Sequence, residues 1–138
     1  MADRFIDNDN GTINDNELNL IWRKTDSFQD TQKWMNWFKD QDYVEIANLE
    51  RLAGFENWRY PKQDEAWSLF DLKYKNTDKY GDEIYLHSIF EPGSAGTTWT
   101  NEEKDSSALV VQYEDGMKVW PSKYAHLNMA YRMVRELD

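Results

Sequence analysis

Ser107-Ala-Leu-Val-Val-Gln-Tyr-Glu-Asp-Gly-Met-Lys-Val-Trp-Pro-Ser-Lys-Tyr-Ala-His-Leu-Asn-Met-Ala-Tyr-Arg-Met-Val-Arg-Glu-Leu-Asp138 is the stretch on which a reading of the fold turns. Ser107–Glu114 and Met117–Trp120 are β-prone runs separated by Asp115-Gly116, a dipeptide that accepts the positive φ angles of a two-residue type I′ turn. The expected hairpin sets Glu114 opposite Met117, Tyr113 opposite Lys118 and Val111 opposite Trp120, which puts Leu109, Val111, Tyr113 and Trp120 on one face. Pro121 follows, and Tyr124, Leu127, Tyr131, Val134 and Leu137 then recur at three- and four-residue spacing. That pattern predicts a C-terminal helix laid over the hairpin.

Working outward, helical signals dominate the first half. Asn14 and Glu17 approximate a capping box ahead of Leu18, Ile21 and Trp22, so a helix is expected over about 15–24. A second helix is expected from Asp26-Ser27 to Lys39, with Phe28, Trp34, Trp37 and Phe38 on one face. A third starts at Asp42, carries Ile46, Leu49 and Leu52 inward and stops at Gly54. Pro61 forces Tyr60 toward an extended conformation and marks the change to strands. Residues 67–75 and 83–90 alternate as two strands, and 91–106 has no periodicity and reads as a long loop. The fold class expected is therefore α+β: about three N-terminal helices, an antiparallel sheet of about four strands and a C-terminal helix packed on it. One domain over 1–138 is expected, with a helical sub-region 1–60 and a sheet-plus-helix sub-region 64–138.

Bulk chemistry narrows the function classes. The chain has 138 residues, 26 acidic and 16 basic side chains, a formal charge of −10 and a pI near 4.6. Both halves are acidic. Direct binding to nucleic acid or to an anionic membrane is disfavoured, because both depend on Lys and Arg, while basic partner proteins are favoured. The absence of cysteine excludes disulfides, thiolate metal sites and thiol nucleophiles. With no apolar h-region at the N-terminus and no apolar run of membrane-spanning length, a cytoplasmic location is expected.

Three sets of residues carry candidate chemistry. Residues 7–19, Asp-Asn-Asp-Asn-Gly-Thr-Ile-Asn-Asp-Asn-Glu-Leu-Asn, resemble the calcium loops of EF-hands and dockerins: Gly11 fits the sharp-turn glycine, Ile13 the apolar position after it and Glu17 the bidentate carboxylate. Asp7, Asp9 and Asn14 would complete such a site, but Ile6 stands where the first ligand is needed, so no metal is favoured. His87 and His126, the only histidines, lie in no hydrolase motif. Trp99, flanked by Thr97, Thr98, Thr100 and Asn101, stands outside the expected core as an interface anchor. Glu102, Glu103 and Asp105 of the long loop, with Glu114 and Asp115 at the hairpin tip, form the acidic face expected to meet the partner.

The leading expectation is a non-enzymatic interaction protein without cofactor. Its carboxylates would block the basic, nucleic-acid-binding site of a partner protein, as small acidic inhibitors of phage or mobile-element type do. The alternatives are a calcium-dependent module ordered through Asp7, Asp9, Asn14 and Glu17, and a small hydrolase or ligand-binding enzyme using His87 or His126.

Overall fold

The computed structural model describes residues 3–137 and places sheet where the first of the expected helices would stand. Strands β1 (Phe5–Asp7), β2 (Thr12–Asp15) and β3 (Leu20–Arg23) form an antiparallel meander, and β9 (Val134–Glu136) pairs with β3 to complete a four-stranded sheet ordered β1-β2-β3-β9. The helix expected over 15–24 is thus a turn and a strand. Leu20, Ile21 and Trp22 are consecutive and all buried, and a continuous buried run suits a strand covered on both faces better than one stripe of a surface helix. Asp15, not Asn14, organises the turn: its Oδ1 accepts the backbone N–H groups of Glu17 and Leu18.

Helices are few and short. Helix α1 (Ser27–Thr31) opens with a capping box between Asp26 and Gln29 and ends at Gln32 in the left-handed region, so the expected helix to Lys39 breaks there. Helix α2 (Trp37–Leu49) is capped by Asn36, whose side chain accepts from the Lys39 N–H. It therefore begins five residues before the Asp42 start that was expected. Helix α3 (Gln63–Ser68) takes the first two residues of the strand expected over 67–75, and 69–75 is turn and irregular chain. Glu65 holds it by accepting from the Lys62 N–H at 2.8 Å and from Arg59 at 2.9 and 3.0 Å. The strand expected over 83–90 shrinks to β5 (Glu83–Ile84), paired with β4 (Asn76–Thr77).

A three-stranded sheet carries the region read as a loop. Strand β6 (Thr97–Lys104) pairs with β7 (Ser107–Gln112), which pairs with β8 (Lys118–Val119). The register of β6 against β7 shifts between Trp99 and Glu103. At this bulge Thr100 Oγ1 donates to Leu109 O, Asn101 N–H to Pro61 O and Trp37 Nε1 to Thr100 O, which ties the sheet to α2 and to the segment before α3.

The hairpin forms, but in another register. Val110 faces Val119 and Val111 faces Lys118, leaving Tyr113–Gly116 as a four-residue loop in place of the Asp115-Gly116 turn. Tyr113 is drawn out of the ladder because its hydroxyl donates to Ala66 O at 2.8 Å, its N–H to Gly96 O, and its carbonyl accepts from Tyr85. Trp120, expected on the buried face, is 46% exposed. Gly116 has φ +75°, and a Cβ there would lie 2.6 Å from the Phe70 ring. Gly116→Val should therefore cost about 1–3 kcal/mol or more, from backbone strain and displacement of Phe70 together. A urea midpoint equal to wild type's would show that the loop tolerates a side chain.

No C-terminal helix exists. Ala130 to Arg135 are six successive buried residues, which one face of a surface helix cannot supply. The segment is extended between two core clusters, with Val134 in the first, beside Phe5, Trp22 and Phe90, and Tyr131 and Met133 in the second, beside Trp58, Tyr60 and Trp99. Its backbone bonds outward on both sides: Trp99 N–H to Ala130 O, Ser27 N–H to Tyr131 O, Arg23 N–H to Met133 O, and a reciprocal pair between Arg59 and Val134. The buried Arg132 guanidinium donates to Arg23 O and Lys24 O. Because β9 joins the N-terminal meander, the two sub-regions expected at 1–60 and 64–138 share one sheet.

Candidate functional site

A cleft of about 280 Å³ opens where four segments meet: the turn 78–82 between β4 and β5, the start of β6, the end of β7, and the turn at 127–129. Asp78, Asp82 and Glu114 bring three carboxylates to it, with Tyr80, Gln112 and Asn128, and no basic residue lines it. Asp78 builds the turn, since its Oδ1 accepts the N–H groups of Tyr80 and Asp82 at 2.9 and 3.0 Å. Gly81, at φ +81°, closes it by donating its N–H to Asp78 O. Across the cleft Asn128 adopts φ +62°, takes the Tyr80 hydroxyl on Oδ1 at 3.0 Å, and accepts the Thr97 hydroxyl on its carbonyl at 2.8 Å. Ile84, Gly96 and Met129 supply apolar wall and floor. Gly96, at φ +79°, has Asp78 Cβ 3.5 Å from where its own Cβ would stand, so the floor lies close against the turn.

Asp82 and Glu114 are exposed, and among the described residues neither they nor Asp78 are in an ion pair. Lys79, next in sequence to Asp78, is turned away, with its ammonium over the Phe28 and Trp34 rings at 4.2 and 5.0 Å. Among the described residues no three acidic or histidine side chains are grouped as metal ligands. The arrangement presents negative charge and hydrogen-bond acceptors in a part-enclosed space, which is chemistry for holding a cation of the ammonium or guanidinium kind.

The expected partner-binding residues are split by the fold. Glu102, Glu103 and Asp105 lie at one end of the β6–β7 hairpin, and Glu114 and Asp115 lie beyond the other end of β7. Six strand residues separate the two sets by roughly 20 Å. Only Glu114 lines the cleft. Glu103 is held by Lys123 at 2.6 Å. Trp99 is corrected outright: it is 0% exposed, with Nε1 donating to Met35 O at 3.1 Å, and so is a core residue. The exposed tryptophan beside Asp105 is Trp120, and the two line a separate hollow of about 420 Å³.

The N-terminal loop holds a β-hairpin turn, and of the four residues read as calcium ligands Asp7, Asn14 and Glu17 have other partners, while Asp9 is exposed. Asp7 accepts from Lys24 at 3.0 Å and from the Asp9 N–H, Asn14 accepts from Asn8, and Glu17 lies 3.2 Å from Arg4. Strand β3 takes the place of the helix expected over about 15–24 after the loop. His87 lines a hollow of about 430 Å³ with Asp3, Arg4, Tyr74 and Ser88. Its Nδ1 accepts from the Ile89 N–H at 2.9 Å, and it packs edge-on against Phe5. Burial pushes its pKa down. Among the described residues no hydrogen bond joins it to Ser88 or Asp3. His126 is exposed, and its carbonyl accepts from Met129.

The family model of the Lcl C-terminal domain matches residues 11–135, from the turn before β2 to the middle of β9. The chain belongs to the Lcl C-terminal domain family. No curated protein and no solved structure matches it. The matched span of this Lcl C-terminal domain contains every segment that lines the cleft, and also the β3–β9 pairing that closes the fold. Among the described residues, no helix of this Lcl C-terminal domain is long and apolar enough to cross a membrane.

Sequence reasoning missed Asp78, Tyr80, Asp82, Gln112 and Asn128. A local signal existed for the turn, since Asp78-Lys79-Tyr80-Gly81 places Asp at the first and Gly at the fourth position of a β-turn. None existed for Asn128 or Gln112, which reach the cleft only through tertiary packing.

Proposed function

We propose that this Lcl C-terminal domain is a non-catalytic binding module whose acidic cleft receives a Lys or Arg side chain of a basic partner protein. The observation that carries the reading is the set of three carboxylates around a part-enclosed space with no basic residue in its lining. A cation in the cleft would donate charge-assisted hydrogen bonds to these carboxylates, which are the stronger kind. The net charge of −10 adds a long-range field that speeds encounter with a basic surface. The partner class includes nucleic-acid-binding proteins, whose basic sites would meet carboxylates in place of phosphates. On this reading Glu102, Glu103 and Asp105 steer the approach, while Asp82 and Glu114 make the short-range contacts.

Titration with a Lys- and Arg-rich peptide tests it. Asp82→Asn with Glu114→Gln should weaken binding roughly ten-fold, since a hydrogen bond to a charged group contributes about 1.5–3 kcal/mol and 1.4 kcal/mol is a factor of ten. Glu102→Gln, Glu103→Gln and Asp105→Asn together should instead slow association and flatten its salt dependence. Asn suits position 105, where φ is +56°. Peptide binding by the Asp82/Glu114 variant equal to wild type's would overturn the cleft as the site.

A further inference from the structure

Helix α2 has a second face that the fold does not use. Trp37, Val44 and Ala47 pack inward on the second core cluster. At about 100° per residue, Phe38, Asp42, Glu45, Ile46 and Leu49 project from the opposite side. Ile46 is 52% exposed and Leu49 84%. Phe38 is 38% exposed, with its ring beside the exposed Tyr124 ring at 5.1 Å and edge-on to Trp37 at 5.6 Å. A helix that buries one face ordinarily keeps polar residues on the other. Here apolar side chains stand on both.

The outward ridge lies between two hollows. One, of about 450 Å³, is mostly apolar and is lined by Trp34, Met35, Tyr43 and Ile46 among others. The second, of about 590 Å³, is lined by Glu45, Asn48, Leu49 and Glu56. A ridge with a groove on each side is the surface into which the side chains of another helix interdigitate. Lys33 and Lys39 line the first hollow beside Asp42, and the acids Glu45 and Glu56 line the second, so acidic charge gathers on the Glu45–Leu49 side of the ridge. Among the described residues no ion pair holds Asp42, Glu45 or Glu50, while Glu56 pairs with Arg51 at 3.9 Å and Lys39 is the base nearest Ile46 along the helix.

We infer that the outward face of α2 docks a basic amphipathic helix of a partner protein, with apolar residues at i, i+4 and i+7 seated beside Ile46 and Leu49 and Lys or Arg reaching Asp42, Glu45 and Glu50. Phe38 to Leu49 spans about 17 Å at 1.5 Å per residue, which matches about three turns of partner helix. A second copy of the chain fits poorly, because antiparallel self-packing would set Asp42 and Glu45 against their own counterparts. An anionic lipid surface is repelled by the same acids. The inference does not rest on the acidic cleft, with which this face shares no residue.

The test is a titration with an 18-residue helical peptide carrying Leu at i, i+4, i+7 and i+11 and Lys at the flanking positions, beside a scrambled peptide of equal composition. The amphipathic peptide should bind at least ten-fold more tightly than the scrambled one. Ile46→Ser with Leu49→Ser should abolish that preference, and Asp42→Asn with Glu45→Gln should weaken binding about five-fold and lower its salt dependence. Asp82→Asn with Glu114→Gln should lower the affinity for both peptides alike, through the Lys side chains they share, and leave the amphipathic peptide the tighter binder. All of these positions are at the surface, so thermal melting should be near wild type's for each variant. Equal binding of the two peptides, or an Ile46/Leu49 variant that binds as wild type does, would overturn the inference. So would a concentration-dependent dimer in sedimentation that the Ile46/Leu49 variant abolishes, because the face would then belong to self-association.

Discussion

Replacing Asp15 by Ala should cost about 3–5 kcal/mol of stability, the range for breaking a buried charge pair from one side. The carboxylate has no exposed surface. It takes Arg4 Nε and Nη2 as a fork at 2.9 Å each, Trp22 Nε1 at 3.1 Å, and the Glu17 and Leu18 N–H groups at 3.1 and 3.3 Å. Ala would leave the fully buried indole N–H without its acceptor and the largely buried guanidinium with only Ser68 and the exposed Glu17. Burial alone would raise the pKa of Asp15, but the hydrogen bonds from Arg4 and Trp22 and the charge of Arg4 outweigh it and hold the carboxyl below its ordinary value.

The sign of the pH effect follows from that direction. Asp15 contributes stability above the unfolded carboxylate pKa of about 3.9, and the contribution is lost as pH falls through the lower folded value. Asp7, held low by the Asp9 N–H and then by Lys24, and Glu65, held low against its burial by Arg59 and the Lys62 N–H, act in the same acidic window. Wild type should therefore lose stability steeply below about pH 4, and Asp15→Asn should show a shallower loss from a lower plateau. Urea midpoints measured from pH 7 down to pH 2 check both parts. A midpoint for Asp15→Ala at pH 7 equal to wild type's would show that the β1–β3 meander does not depend on this carboxylate.

Trp99→Ala should cost about 3–5 kcal/mol, as expected for truncating a buried Trp, and should lower the melting temperature by on the order of 10 °C or more. The indole is enclosed by the cluster of Trp58, Tyr60, Tyr131 and Met133, and its Nε1 satisfies Met35 O. Trp99→Phe keeps most of the volume and loses the hydrogen bond, so about 1–3 kcal/mol is expected from the unpaired carbonyl. Binding to a basic peptide by folded Trp99→Phe should match wild type's. A Trp99→Ala variant that melts as wild type does but loses a partner would return this residue to the role of an interface anchor.

The features legible in the chain were those made by short-range chemistry. The helix start at Asp26-Ser27, the helix across 42–49, the hairpin between 107 and 120 and the positive φ at Gly116 all depend on residues close in sequence. Helical spacing misled wherever aromatic and aliphatic residues were dense. Leu18, Ile21 and Trp22, and Tyr131, Val134 and Leu137, fit a 3.6-residue period by chance: Leu18 is exposed in the turn before β3, while Ile21 and Trp22, like Tyr131 and Val134, belong to runs buried at every position. In the same way the polar run Thr97–Asn101 looked like a loop around a stranded tryptophan. Yet Thr98 and Thr100 are buried with their hydroxyls bonded to backbone carbonyls, so a threonine-rich strand can lie in a core.

By itself the sequence determined the charge of −10, the exclusion of cysteine chemistry, the turn-forming positions and the supply of aromatic side chains that builds two core clusters. Tertiary structure alone decided that Ala130–Arg135 would be an extended spine, because its hydrogen bonds go to Ser27, Arg59 and Trp99, all more than 30 residues away. It also decided which acids meet. Asp78, Asp82 and Glu114 share a cleft because the β4–β5 turn packs against the end of β7, whereas Asp105 and Glu114, only nine residues apart, are set at opposite ends by the strand between them. An extended strand separates what is near in sequence, and a long-range pairing joins what is far, so a local pattern cannot report either.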